Sequence, residues 1–266
     1  MNDSAEVLVG FSCSILNEAL PPDRPIKEDI EVNTAYFRQG NLACCWIVMD
    51  FMDFDLAAID WIKDRVAETC SILPEHVHVM TTHNHGAADV ELLNIGLIAE
   101  KTAEAVKAAA NTAVRGYLRF AQVSVREQLS YVRRLHVEEF GSSTTLFFGP
   151  CKANGFNTSE FLKYQLHSLT EKREMPYCGK SETASRLIPF LHQTDDILAP
   201  PANPLVSILL FERKNGVAIG CICSFAAHAI CCNRPEYYSS DYPYYVRQTL
   251  QKKTGGDINI HKWSLR

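Results

Sequence analysis

Apolar positions along this chain fall into two kinds of run. Short, nearly continuous stretches bounded by turn residues predict buried strands at Glu6–Ser12 (EVLVGFS), Leu42–Phe51 (LACCWIVMDF) and His76–Thr82. Between the first two, the PPDRP segment at Pro21–Pro25 has to be loop. From Asp55 the period changes. In LAAIDWIKDRVAETC, Leu56, Ile59, Ile62, Val66 and Cys70 recur at helical spacing, Asp55 supplies an N-cap, and Pro74 follows the end. Asn94–Arg115, alanine-rich in its middle, predicts a second helix with Gly116 just past its end.

Strand-like runs follow at Leu118–Val125 and Leu129–Val137. Residues 138–204 are irregular, with scattered Gly, Pro, Ser and Asn around one helix at Ser159–Glu171 and a loop at Pro200–Pro204. Leu205–Arg213 and Val217–Phe225 then predict a hairpin across Lys214-Asn215-Gly216, since Asn-Gly is a favoured turn pair. A helix over Tyr242–Lys252 closes the pattern. The expected fold class is α/β, with mixed β-sheets and flanking helices in a single large domain over 1–266, into which 138–204 is inserted.

The 266 residues, 47% of them hydrophobic, suffice for a sizeable core. A net charge of −5 leaves no electrostatic footprint for nucleic acid. No run approaches the roughly 20 apolar residues of a transmembrane segment. The start, MNDSAEVLVGFSC, lacks a basic region followed by a long apolar one, so no secretory signal is read and the expected location is cytoplasmic. The ten cysteines then read as reduced, mostly buried thiols. Cys221, Cys223, Cys231 and Cys232 lack the C-x₂₋₄-C spacing of structural zinc sites and read as core.

Chemistry concentrates in Thr81-Thr82-His83-Asn84-His85-Gly86 at a strand end. If strand geometry persists, His83 and His85 share a face, the pairing a zinc-type ion needs, and Gly86 lets the backbone turn sharply. A pair of surface loop histidines is the ordinary alternative. His228, alone in Phe225-Ala226-Ala227-His228-Ala229, reads first as a satisfied core histidine rather than a ligand, although its small neighbours leave room for a ligand or substrate to approach. Asp241, in Ser239-Ser240-Asp241-Tyr242-Pro243, reads as an N-cap. Arg133 and Arg134, paired on a strand, read first as a solvated edge, with a carboxylate or oxyanion contact by one of them as the alternative. Phe147, Phe148, Phe156 and Phe161 line an apolar entrance or belong to a core.

In order, these motifs resemble the N-terminal catalytic domain of the neutral/alkaline (non-lysosomal) ceramidase family. Its counterparts read T-H-T-H-S-G, N-R-R or N-R-S, F-A-x-H-P and S-x-D-[FY]-P-G. The opening VLVGFS followed by Pro21-Pro22 resembles the family's V-G-x-x-x-x-D-I-T-P-P start, and Gly256-Asp257-Ile258-Asn259 resembles its G-D-[IV]-[NS]-P element. The resemblance implies a Zn2+-dependent hydrolase of a linear amide, cutting a ceramide-like N-acyl amide or lipid in sphingolipid metabolism. It implies that His83 and His228 are zinc ligands. His85 would act on the water or leaving group, and Arg133 would position substrate or stabilise the oxyanion.

The family completes its zinc site with a glutamate and a tyrosine beyond the G-D element, for which this sequence offers no matching segment. Gly86-Ala87-Ala88 also replaces the family's G-P turn, and Ile260 its proline. Three explanations stand side by side: a truncated or frameshifted product lacking the C-terminal part of the family domain, a degenerate relative, or a homo-oligomer in which another chain lends the ligands. The alternative function is a non-catalytic or decayed ceramidase-like domain that binds a small ligand or partner. A barrel-type amidohydrolase needs eight βα units, which the hairpin and the irregular middle argue against.

Overall fold

Side-chain alternation along three long strands decides the architecture. In β2 (Glu31–Gln39), Val32, Thr34 and Tyr36 point to one face while Asn33, Ala35 and Phe37 point to the other. The computed structural model describes residues 7–125, 134–137, 141–144, 203–232, 236–254 and 260–263, with backbone alone for 134–137, 141–144, 254 and 260–263. The chain divides into two compact units, Ser124–Pro204 and the segments on either side of it.

In the larger unit β2 lies between β1 (Val7–Ile15) and β3 (Leu42–Met49), antiparallel to both. β4 (Val77–Thr81) runs parallel to β3, and a two-residue strand β5 (Val114–Arg115) pairs with β1, giving the order β4-β3-β2-β1-β5. The β3-to-β4 connection is α1 (Leu56–Cys70), capped by Asp55, whose carboxylate accepts from the Ala58 amide at 2.7 Å. α1 and α2 (Ile95–Asn111) cover one face of this sheet. Ile62, Val66, Ile98, Ala103 and Val106 meet Val32, Tyr36, Cys45, Ile47 and Met49 there. Gly10 makes the close approach feasible, because a Cβ on it would lie 1.9 Å from the Ala109 carbonyl oxygen.

The opposite face carries Val9, Phe11, Ala35 and Phe37, and packs on a second sheet through Phe211 and Ile222. That sheet has the order β11-β10-β9-β6, from β6 (Tyr117–Ser124), β9 (Leu205–Glu212), β10 (Ala218–Phe225) and β11 (Ile260–Trp263). The β9–β10 hairpin turns at Gly216, whose φ of 79° suits glycine. α3 (Asp241–Thr254) follows, and its Leu250 packs against Cys221 and Cys223. Within the smaller unit, β7 (Arg134–Val137) and β8 (Gly141–Thr144) form an antiparallel pair. Mixed sheets flanked by three helices among the described residues match the expected fold class.

Several local expectations change. β2 has no counterpart in the sequence reading. The helix expected over Asn94–Arg115 begins on its Asn94 cap but stops at Asn111. Thr112 Oγ1 bonds back to the Ala108 carbonyl, and Val114–Arg115 pair with β1 instead. Gly116 therefore follows a strand, its bare Cα packed against Val9. Leu56, expected on one helix face with Ile62 and Val66, is the first residue of α1 and is 79% exposed. Of the cysteines, Cys45, Cys221 and Cys223 are buried but Cys13 and Cys231 are exposed. The expected helix Ser159–Glu171, the phenylalanines at 147, 148, 156 and 161, Cys151 and Cys178 all lie outside the described residues. So does 138–204, except for the backbone of 141–144 and for Asn203 and Pro204. No helix among the described residues is long and apolar enough to cross a membrane.

Candidate metal centre

Parallel neighbours end on the same side of a sheet, so the loops after β3 and β4 emerge together. The pairing continues past the strands: the Thr82 amide donates to the Met49 carbonyl at 2.9 Å and the Asn84 amide to Phe51 at 3.0 Å. Between these bonds His83 takes a left-handed backbone with φ of 55°. That conformation costs a non-glycine residue roughly 1–2 kcal/mol, although histidine tolerates it better than most. The expectation that His83 and His85 share a strand face is thus replaced by a turn, and the strain falls on His83 rather than on Gly86. Gly86 serves a different purpose. A Cβ there would lie 2.5 Å from the Ser239 carbonyl oxygen, so only glycine lets the 82–88 loop rest on the segment leading into α3.

The turn brings the two rings to 5.0 Å between centroids. The third imidazole comes from the loop after β10. The His85 amide donates to the Ala229 carbonyl at 3.1 Å, and Tyr242 Oη donates to the Ala227 carbonyl at 2.8 Å, pinning that loop from both sides. His228 stacks on His83 with centroids 4.7 Å apart, and its Nε2 lies 2.8 Å from His85 Nε2. One donor atom from each ring lies within 4.8 Å of the others, and all three rings are half-buried. Ligands around a tetrahedral zinc with Zn–N near 2.0–2.1 Å sit roughly 3.3 Å apart, inside this spread. His83 Nδ1 stands 2.9 Å from the Met52 carbonyl, which only accepts, so the proton belongs on Nδ1 and Nε2 is left with its lone pair. The donor set fits a borderline ion such as zinc.

Beneath the rings lies a buried polar network. Asp50, 1% exposed, receives Arg247 of α3 as a fork, Nη1 to Oδ1 at 3.0 Å and Nη2 to Oδ2 at 2.5 Å. Arg247 Nε lies 3.0 Å from Glu31 Oε2 as an ion pair without hydrogen-bond alignment. Burial pushes the Glu31 carboxyl above its ordinary value; Arg247 opposes the shift and Asp50 adds to it. Asp241 heads α3 as expected, but it is fully buried, and its carboxylate accepts from both the Tyr242 and Cys232 amides. Nearby, Glu28 accepts from Ser239 Oγ and Tyr245 Oη, each at 2.5 Å. Burial works against its charge, yet these bonds and Lys27 outweigh it and hold the carboxyl below its ordinary value.

The structure therefore brings His83, His85 and His228 together. Arg133 lies outside the described residues, and of Arg134 only the backbone is described. Sequence reasoning missed Asp50, Arg247 and Glu28. The acidic end of β3 in LACCWIVMDF was a visible signal for Asp50; Arg247 gave none.

No protein-family model matches the sequence, and neither does any curated protein sequence. Solved structures do. A ceramidase complexed with C2 superposes with a TM-score of 0.60 at 13% identity, covering 97% of this chain and 37% of that one. The neutral ceramidase of Pseudomonas aeruginosa gives a TM-score of 0.58 at 13% identity, covering 98% of this chain and 39% of that one. The fold is therefore neutral-ceramidase-like, and the chain spans well under half the length of these structures.

Proposed function

We propose that this chain carries the metal centre of a zinc-dependent amidohydrolase acting on a ceramide-like N-acyl amide. The observation behind this reading is the convergence of three imidazoles from two distant loops, one with its tautomer set by a carbonyl, on a ceramidase-like fold. His83 and His228 would hold the ion. Zinc supplies an activated water at neutral pH and polarises the amide carbonyl. His85, close to both ligands and half-buried, is suited to take the water's proton and return it to the departing nitrogen. Arg133 would steady the oxyanion. The substrate class rests on the likeness to ceramidases. No disulfide links the described cysteines.

A second reading, a ligand-binding domain without turnover, is favoured by one feature. His85 and His228 satisfy each other at 2.8 Å, so this pair needs no ion to be stable. Zinc content after purification, together with amine release from an N-acyl fatty amide, separates the two. About one equivalent of zinc with hydrolysis is expected. Under about a tenth of an equivalent and no amine would leave the second reading.

A further inference from the structure

We propose that Arg247 is a positioning residue of the histidine centre, acting through Asp50 on the turn that presents His83. The argument begins with the backbone. A left-handed residue other than glycine persists only where its surroundings over-determine it. Asp50 contacts the residues on both sides of His83. Thr82, before it, donates its hydroxyl to Asp50 Oδ1 at 3.4 Å. Asn84, after it, donates its amide to the Asp50 carbonyl at 3.0 Å and to the Ser239 carbonyl at 2.7 Å. Met52, which fixes the His83 ring, lies two residues beyond Asp50. Apart from the Asn84–Ser239 bond, these tethers on His83 run to Asp50 or its immediate neighbourhood.

Asp50 in turn depends on Arg247. A carboxylate 1% exposed needs a counter-charge, and the fork from α3 fixes its orientation as well as its charge. Lysine offers a point charge and no fork. The other carboxylate on this arginine, Glu31, touches neither neighbour of His83, so it provides an internal contrast. The assignment presumes that the histidines bind metal, as proposed above, but its effect on His83 exists without an ion.

The test uses the whole chain as Arg247→Lys, Thr82→Val and Glu31→Gln, each checked for folding by circular dichroism. In metal-free protein, ¹⁵N-histidine NMR should show parent His83 as the Nδ1–H tautomer, mixed with the other tautomer in Arg247→Lys and partly so in Thr82→Val. Zinc affinity, from competition with a chromophoric chelator, should fall about 10–100-fold in Arg247→Lys, the range seen when support behind a ligand is removed. Thr82→Val should lose several-fold. Glu31→Gln should change stability while leaving tautomer and affinity alone. An unchanged His83 tautomer in folded Arg247→Lys overturns the proposal. Should that variant not fold, an unchanged tautomer in Thr82→Val does so instead. A parent that binds no zinc would sink the amidohydrolase reading and leave the tautomer comparison to decide this one.

Discussion

Gly86→Ala isolates the packing on which the centre is built. The added methyl would start 2.5 Å from the Ser239 carbonyl oxygen and 3.1 Å from Asn84 Oδ1. To reach 3.0 Å, the lower limit of real contacts, the backbones must part by 3.0 − 2.5 = 0.5 Å or more. The nearest atom is main chain, so no side-chain rotation relieves the clash. The shift also loosens the bond from the Ser239 amide to the Gly86 carbonyl, now 2.9 Å. Overpacking of about 1–3 kcal/mol plus one weakened buried hydrogen bond gives a loss of about 2–4 kcal/mol. Urea unfolding followed by circular dichroism measures it. Gly96→Ala is the control: its nearest neighbour atom is at 3.6 Å, and it should be neutral or stabilising by up to about 1 kcal/mol. Zinc affinity should fall with Gly86→Ala alone. A Gly86→Ala protein within about 0.5 kcal/mol of the parent would refute the packing argument.

Three further outcomes are expected. His228→Ala removes one of the two proposed ligands and should weaken zinc binding at least about 100-fold by chelator competition while the secondary structure survives. Because the Glu28 carboxyl lies below its ordinary value of 4.5 when folded, the unfolded chain protonates first as pH falls. Its stabilisation is complete above about pH 4.5 and is lost below it. Acid unfolding curves of Glu28→Gln should lack that component. Phe211→Ala opens the junction between the sheets, where its ring lies 5.6 Å from Phe11 and 5.4 Å from Phe37. It should cost about 3–5 kcal/mol in urea, and a loss under about 1 kcal/mol would show that the sheets do not rely on this contact.

What could be read in advance follows the range of the forces involved. β1, β3, α1 and the β9–β10 hairpin were legible because apolar runs, an aspartate cap and an Asn-Gly turn are local. β2 was not, since Glu31, Asn33 and Thr34 break its apolar pattern. Asn33 and Thr34 are buried all the same, and Thr34 bonds the Ser12 carbonyl while Glu31 faces Arg247. Such polar residues look solvent-facing until their partners are known. The histidines were visible as motifs, but the alternation argument for His83 and His85 failed at the turn. Their meeting with His228 comes from main-chain bonds such as His85 to Ala229, which no local pattern encodes. Arg247 sits in a polar helix, YYVRQTLQKK, and only the tertiary fold tells it apart from its neighbours.

The Asn84–Ser239 bond joins residues 155 positions apart. Closing so long a loop is slow, and synthesis delivers the two ends at separate times. A nascent chain that has already formed its first sheet therefore still lacks a centre. His83 and His85 wait for His228, and for the Ser239 carbonyl that ties down their loop, until translation has reached α3.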